Sequence, residues 1–134
     1  HKFRISSYDL LQFGKLYSNI GVFQNQIILD STWIKESFKR HSPTNRTGLD
    51  AYYGLMWWIS DTQFKYTCYS ASGSKGHKLI LIPELNLIMV HRVNTDGMRY
   101  VFQKSIPWSA FEELVQELIP IVEEYKYHKP SSQI

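Results

Sequence analysis

A single cysteine, Cys68, occurs in 134 residues. That scarcity excludes an intrachain disulfide and any zinc cluster built on thiolates. Long apolar runs are missing too: no stretch approaches the ~20 uncharged residues that cross a bilayer as a helix. Charge of one sign is in short supply, since 15 basic and 12 acidic residues leave a net +3. Short basic groups such as Lys39-Arg40-His41 read as a solvated helix end. Without a dense basic stripe or a recognisable module, nothing points to a nucleic-acid partner. No Walker motif or G-x-G-x-x-G follows a strand, so a nucleotide site has no support. The five histidines (His1, His41, His77, His91 and His128) form no H-x-x-x-H pair and neighbour no acidic cluster. No metal and no cofactor is therefore expected. A signal-peptide pattern is absent and the chain opens on His1 without a methionine, which suggests a piece processed or cut from a longer protein.

Aromatic residues are abundant at 15%, including Trp33, Trp57, Trp58 and Trp108, inside a 43% hydrophobic composition. This describes one globular domain large enough to bury a core. Ser6-Ser7 caps a helical pattern, with Leu10, Leu11, Phe13 and Leu16-Tyr17 at near-helical spacing and a stop at Asn19-Ile20-Gly21. Gly14 inside it costs about 1 kcal/mol relative to Ala, which makes sense if another backbone packs closely there. Gln24-Asn25-Gln26 reads as a polar turn. Asp30 or Ser31 then caps a short helix from Thr32 to about Lys39, with Trp33, Ile34 and Phe38 on its apolar side. His41 to Asp50, with Pro43 and Gly48, reads as a surface loop. Its Asn45-Arg46-Thr47 matches a glycosylation sequon and is taken as ordinary loop.

The middle is β-rich. Tyr52 to Ile59 and Phe64 to Tyr69 read as strands at hairpin spacing. Lys78 to Ile82 and Leu87 to His91 follow, joined by Pro83-Glu84-Leu85-Asn86. These last two runs hardly alternate, so helices are expected above and below them. The chain closes on a long amphipathic helix opened by a Ser109/Glu112 capping box, with Phe111, Leu114, Val115, Leu118, Val122 and Tyr125 in one stripe. Pro120 should kink it, and the tail from His128 should fray. Glu112, Glu113, Glu117, Glu123 and Glu124 read as its solvated face.

One segment stands apart: Tyr69-Ser70-Ala71-Ser72-Gly73-Ser74-Lys75-Gly76-His77 puts two glycines and small hydroxyls just before a buried strand. Such residues let a ligand approach the backbone, where free N–H groups can hold an oxyanion. A flexible inter-strand turn is the competing reading. Ser72-Gly73-Ser74-Lys75 also satisfies S-x-x-K, but that nucleophile-plus-base motif needs a helix start to stack Lys over Ser. Here glycines bracket the lysine and a strand follows, so the match is read as accidental.

The order of several pieces resembles the β-lactamase-related serine hydrolases over residues 6 to 93. Tyr8-Asp9-Leu10-Leu11-Gln12-Phe13-Gly14-Lys15-Leu16-Tyr17 with Asn19 and Gly21 is similar to their "D-L-x-x-F-G-x-L-Y-x-N-x-G" helix. Ile28-Leu29 with Trp33 resembles "I-L-x-x-x-W". Tyr53-Gly54-Leu55-Met56-Trp57-Trp58 resembles "Y-G-x-x-W-W". Ala71 to His77 with Ile82-Pro83-Glu84-Leu85-Asn86-Leu87 resembles "A-S-G-x-x-G-Q … I-P-E-L-D-L".

The resemblance implies an α/β sandwich, an antiparallel sheet flanked by helices, of which only the C-terminal part is present. It implies that Ala71-Ser72-Gly73 takes the place of the family's third motif on a sheet strand. Gly73 and Ser74 would then supply backbone oxyanion-hole geometry, with Ser74 N–H as donor, and Ala71, Ser72 and Lys75 would face substrate. Ala71 stands where lactamases carry Lys or His, which favours an esterase or amide hydrolase, including the nylon-oligomer hydrolase branch. The implied partners are a small ester, amide or lactam and the remainder of the same hydrolase; the implied setting is periplasmic or secreted. The family's S-x-x-K and Y-x-N lie upstream of its counterpart of the first helix. Tyr17-Ser18-Asn19 is literally Y-x-N but sits inside that helix. A non-catalytic remnant that binds a ligand through the same cleft is the alternative.

Overall fold

The computed structural model describes residues 4–94 and 104–128. Helix α1 (Ser7–Ser18) starts where the sequence places it: the Ser6 side chain accepts from the Asp9 N–H at 3.0 Å. A two-stranded hairpin follows, β1 (Val22–Phe23) and β2 (Gln26–Ile27). Gln24 and Asn25 between them both have positive φ, at 48° and 62°, the conformation of a tight hairpin turn. Helix α2 (Ser31–Ser37) is capped by Asp30, whose carboxylate accepts from the Thr32 N–H at 2.6 Å. The Thr32 side chain first, and then this backbone bond, lower the Asp30 pKa. Ile34 is fully buried, but Trp33 is 48% exposed rather than on the apolar side.

Among the described residues, six strands then form one antiparallel sheet in sequence order: β3 (Ser42–Pro43), β4 (Tyr52–Tyr53), β5 (Trp58–Ile59), β6 (Tyr69–Ser72), β7 (Lys78–Ile82) and β8 (Leu87–His91). Helix α3 (Trp108–His128) closes the described fold. The mixed α+β class and the antiparallel sheet agree with the sequence reading. The β7–β8 pairing runs over all five residues of each strand, from Lys78↔His91 to Ile82↔Leu87.

Residues 79 and 81 point to one face of the sheet and 80 and 82 to the other, as period two requires. Leu79 and Leu81 pack with Tyr17, Ile34 and Trp57 under α1 and α2; Ile80 and Ile82 pack with Phe111, Val115 and Ile119 of α3. A Cβ at Gly14 would lie 2.9 Å from Ile88 Cγ2 and 3.1 Å from both Leu79 and Leu81 methyls. The close approach is to sheet side chains, not to another backbone.

Several local expectations fail. Tyr52–Ile59 is not one strand: Gly54 N–H bonds Trp57 O at 2.8 Å and Met56 takes φ 70°, which turns the chain between β4 and β5. Phe64–Cys68 is irregular, and β6 begins only at Tyr69. The polar loop ends in a buried 3-10 turn, Gly48–Asp50. Ser109 lies inside α3 rather than capping it, and the Glu112 carboxylate instead accepts from Leu49 N–H at 3.1 Å. The buried stripe of α3 is Phe111, Val115 and Ile119, with Leu114 and Tyr125 exposed. Helix α3 continues through Pro120. The tail beyond His128 lies outside the described residues.

Candidate functional site

Strand β6 delivers Tyr69–Ser72 to a turn at residues 73–77, which returns as β7. The turn is pinned rather than flexible. Gly73 N–H bonds His77 O at 2.8 Å, and Ile106 N–H reaches Lys75 O at 3.5 Å. His91 Nδ1 lies 2.7 Å from Gly76 O; a carbonyl only accepts, so this nitrogen carries its proton. Val93 N–H donates to His77 Nδ1 at 3.2 Å, and His77 has a lowered pKa, chiefly through burial and then Arg92 and His91. Lys75 sits at φ 64° and Gly76 at φ 113°. A side chain at Gly76 would also meet Ile106 at 3.1 Å, so the position requires glycine on two counts.

The residues expected to form one surface are divided. Ala71 belongs with Tyr69 to the core under α1 and α2, whereas Ser72 pairs with Lys78 across the sheet on the α3 side. Ala71 therefore does not share Ser72's face. Gly73 N–H is committed to His77 O and cannot serve a ligand. Ser74 is exposed, and among the described residues no acceptor meets its N–H. Of the pair 73–74 only this donor is available. Ser72-x-x-Lys75 spans a strand end and a single 3-10 turn, Ser74–Gly76, in which Lys75 takes a left-handed φ of 64°, not an α-helix, so Lys75 is not stacked one helical turn above Ser72.

The lysine that reaches Ser72 is a different one. Lys78 Nζ donates to Ser72 Oγ at 2.9 Å, with Ser72 exposed and the Lys78 side chain 1% exposed. Beneath lies Asp50, wholly buried, with Oδ1 3.6 Å from Lys78 Nζ and 3.4 Å from the Ser70 hydroxyl. Arg46 Nη1 holds the other carboxylate oxygen at 3.2 Å. The Trp108 ring covers the ammonium at 3.0 Å from its centroid, and Phe111 stands at 5.7 Å. Arg46 lies 5.4 Å from the ring centroids of both Trp58 and Trp108.

Burial governs the electrostatics. It lowers Lys78 to about 8 against the opposing pull of Asp50, and it raises Asp50 against Lys78 and Arg46. Desolvation wins over Coulomb attraction for both partners. Cys68, by contrast, is chemically quiet: burial pushes its thiol up to about 12, leaving almost no thiolate at neutral pH.

Sequence reasoning missed Asp50, Arg46, Trp108 and Lys78. For Lys78 a signal existed: it is the one charge opening a strand of apolar residues, and period two puts it on the face of Ile80 and Ile82. For Asp50, 28 residues away in a polar loop, none did.

A hollow of about 230 Å³ between the sheet and α3 is lined by Lys78, Met89, His91 and Phe111 among others. A more open cleft of about 480 Å³ lies between Asn45–Thr47 and the start of α3. Among the described residues no group of His, Cys, Asp and Glu could hold a metal ion, and no helix is long and apolar enough to cross a membrane. The arrangement offers an exposed serine backed by a buried ammonium, with a backbone donor two residues on that meets no acceptor among the described residues. The sequence matches no protein-family model and no curated protein.

Proposed function

We propose that the chain is the C-terminal part of a β-lactamase-related serine hydrolase that cleaves an ester or amide through an acyl-enzyme. Its contribution is the strand β6 and the turn after it, with Ser74 N–H as an oxyanion donor; the nucleophile comes from another segment of the hydrolase. The observation that carries this reading is the N–H of the exposed residue Ser74, which meets no acceptor among the described residues, near the start of a pinned turn. A fixed donor of this kind stabilises charge developing on an acyl oxygen without reorganising during the reaction. The antiparallel sheet with α1 on one face and α3 on the other also fits.

The test is covalent labelling of the source protein with a serine-directed phosphonate, followed by peptide mapping. Label is expected on a serine N-terminal to His1, and the isolated chain should neither label nor hydrolyse an activated acyl ester. Stoichiometric label at Ser72 or Ser74 refutes the assignment. A natural polypeptide confined to these residues refutes it too, and leaves a non-catalytic binding domain.

A further inference from the structure

We propose that Asn45, in the loop between β3 and the Gly48–Asp50 turn, is a modification site: the acceptor of an N-linked oligosaccharide. The inference does not rest on the hydrolase reading.

Of the five asparagines, only Asn45 is followed two residues on by Ser or Thr, and neither Arg46 nor Gly48 is proline. By sequence alone that spacing arises readily by chance. The structure separates the side chains that hold the loop from those it leaves idle. Thr44 holds it: its N–H donates to Ala51 O at 2.9 Å, its hydroxyl donates to Asp50 O at 2.5 Å, and Arg46 N–H donates to its Oγ1 at 3.1 Å. Arg46 reaches inward to the Asp50 carboxylate at 3.2 Å and lies 5.4 Å from the ring centroids of Trp58 and Trp108. Asn45 and Thr47 do neither. Both are exposed, and neither side chain makes a hydrogen bond among the described residues. These are the two groups N-glycosylation uses, the amide as acceptor and the hydroxyl two residues on as recognition group.

The surface has room for the product. Asn45 and Thr47 line the open cleft of about 480 Å³ that runs to Trp108, Ser109 and Glu112 at the start of α3. A sugar on Asn45 therefore enters solvent and this cleft without displacing a buried residue. Trp108 gives it an apolar wall, and Ser109 and Glu112 give its hydroxyls hydrogen-bonding partners. The co-reactant is an oligosaccharide carried on a lipid diphosphate. Asn45 Nδ2 forms a bond to the anomeric carbon of the first sugar, and the bond from that carbon to the diphosphate oxygen breaks. The lipid diphosphate leaves with the bonding pair, one Nδ2 proton passes to a base of the transferase, and nothing is oxidised or reduced. Compartments outside the cytosol, where such transfer takes place, oxidise exposed thiols. Cys68 is fully buried and, with its thiol pushed up to about 12, has almost no thiolate with which to mispair there.

The experiment is peptide mapping by mass spectrometry of the protein purified from its natural source, before and after peptide N-glycosidase in heavy-oxygen water. The peptide holding Asn45 should carry a glycan mass that the enzyme removes, leaving a heavy-oxygen carboxylate at that position. Variants of the full polypeptide made in the same cells check the residues. The glycan should be lost entirely in Asn45→Gln and in Thr47→Ala, and kept in Thr47→Ser, which retains the hydroxyl. Asn45→Gln changes an exposed side chain with no hydrogen bond, so it should melt with the enzymatically deglycosylated wild type. An unmodified Asn45 in the source protein overturns the inference. So does a glycan that survives in Thr47→Ala, or one found only on another residue. None of these measurements reads hydrolysis, so failure here leaves phosphonate labelling of an upstream serine unaffected.

Discussion

Removing the two charges of the Asp50–Lys78 pair one at a time should have very unequal effects on stability. At 3.6 Å, two unit charges attract by roughly 4–5 kcal/mol at an effective dielectric of about 20. Burial nevertheless holds Lys78 near 8 instead of 10.5, a displacement equivalent to about 3 kcal/mol against its charged form. Lys78→Met removes that penalty and fills the same space under Trp108, while Asp50 keeps Arg46 at 3.2 Å. Its cost at pH 7 should be small, within about 1 kcal/mol of zero. Asp50→Asn leaves the buried ammonium and Arg46 facing each other without their carboxylate, and should cost about 3–5 kcal/mol. The pH dependence gives an independent check. A lysine with a depressed folded pKa carries its penalty in full below that value and loses it above the unfolded one. Between about pH 8 and 10.5 the unfolded chain binds more protons, so stability rises with pH. Urea unfolding followed by circular dichroism across this range measures both quantities. The reasoning is refuted if Lys78→Met destabilises more than Asp50→Asn, or if the rise survives in Lys78→Met.

On the proposed hydrolase reading, Ser74→Ala should leave turnover within a few-fold because the backbone donor is retained. Gly73→Val should cost about a hundredfold, since its Cβ would sit 3.0 Å from His77 Cβ and displace the bond that sets the turn; the reverse order in a turnover assay would make the Ser74 side chain the acting group. Gly14→Ala should destabilise by about 1–3 kcal/mol by driving a methyl to 2.9 Å from Ile88, and an unchanged melting temperature would mean that α1 can shift. The isolated chain should self-associate through the apolar hollow of Phe13, Leu16, Phe23 and Ile28. Sedimentation as a monomer that binds no hydrophobic dye would argue against this.

What the sequence determined by itself was local. Ser6 and Asp30 cap the helices they precede, because a cap needs only neighbours two or three residues away. β7 and β8 appear with the expected bounds, because two apolar runs joined by Pro83–Asn86 have one short way to pair. Even the face of Lys78 follows from alternation. The Tyr52–Ile59 run misled, because hydrophobic pattern does not reveal a left-handed Met56 that folds one apparent strand into two. Tertiary structure decided the rest. It took Gly73 N–H for the turn and gave Ser72 its lysine from the next strand. It also buried Asp50 beneath that lysine by carrying a polar loop under α3. The Asp50–Lys78 contact joins residues 28 apart in the chain, and a charge is buried only where the fold brings its partners to it.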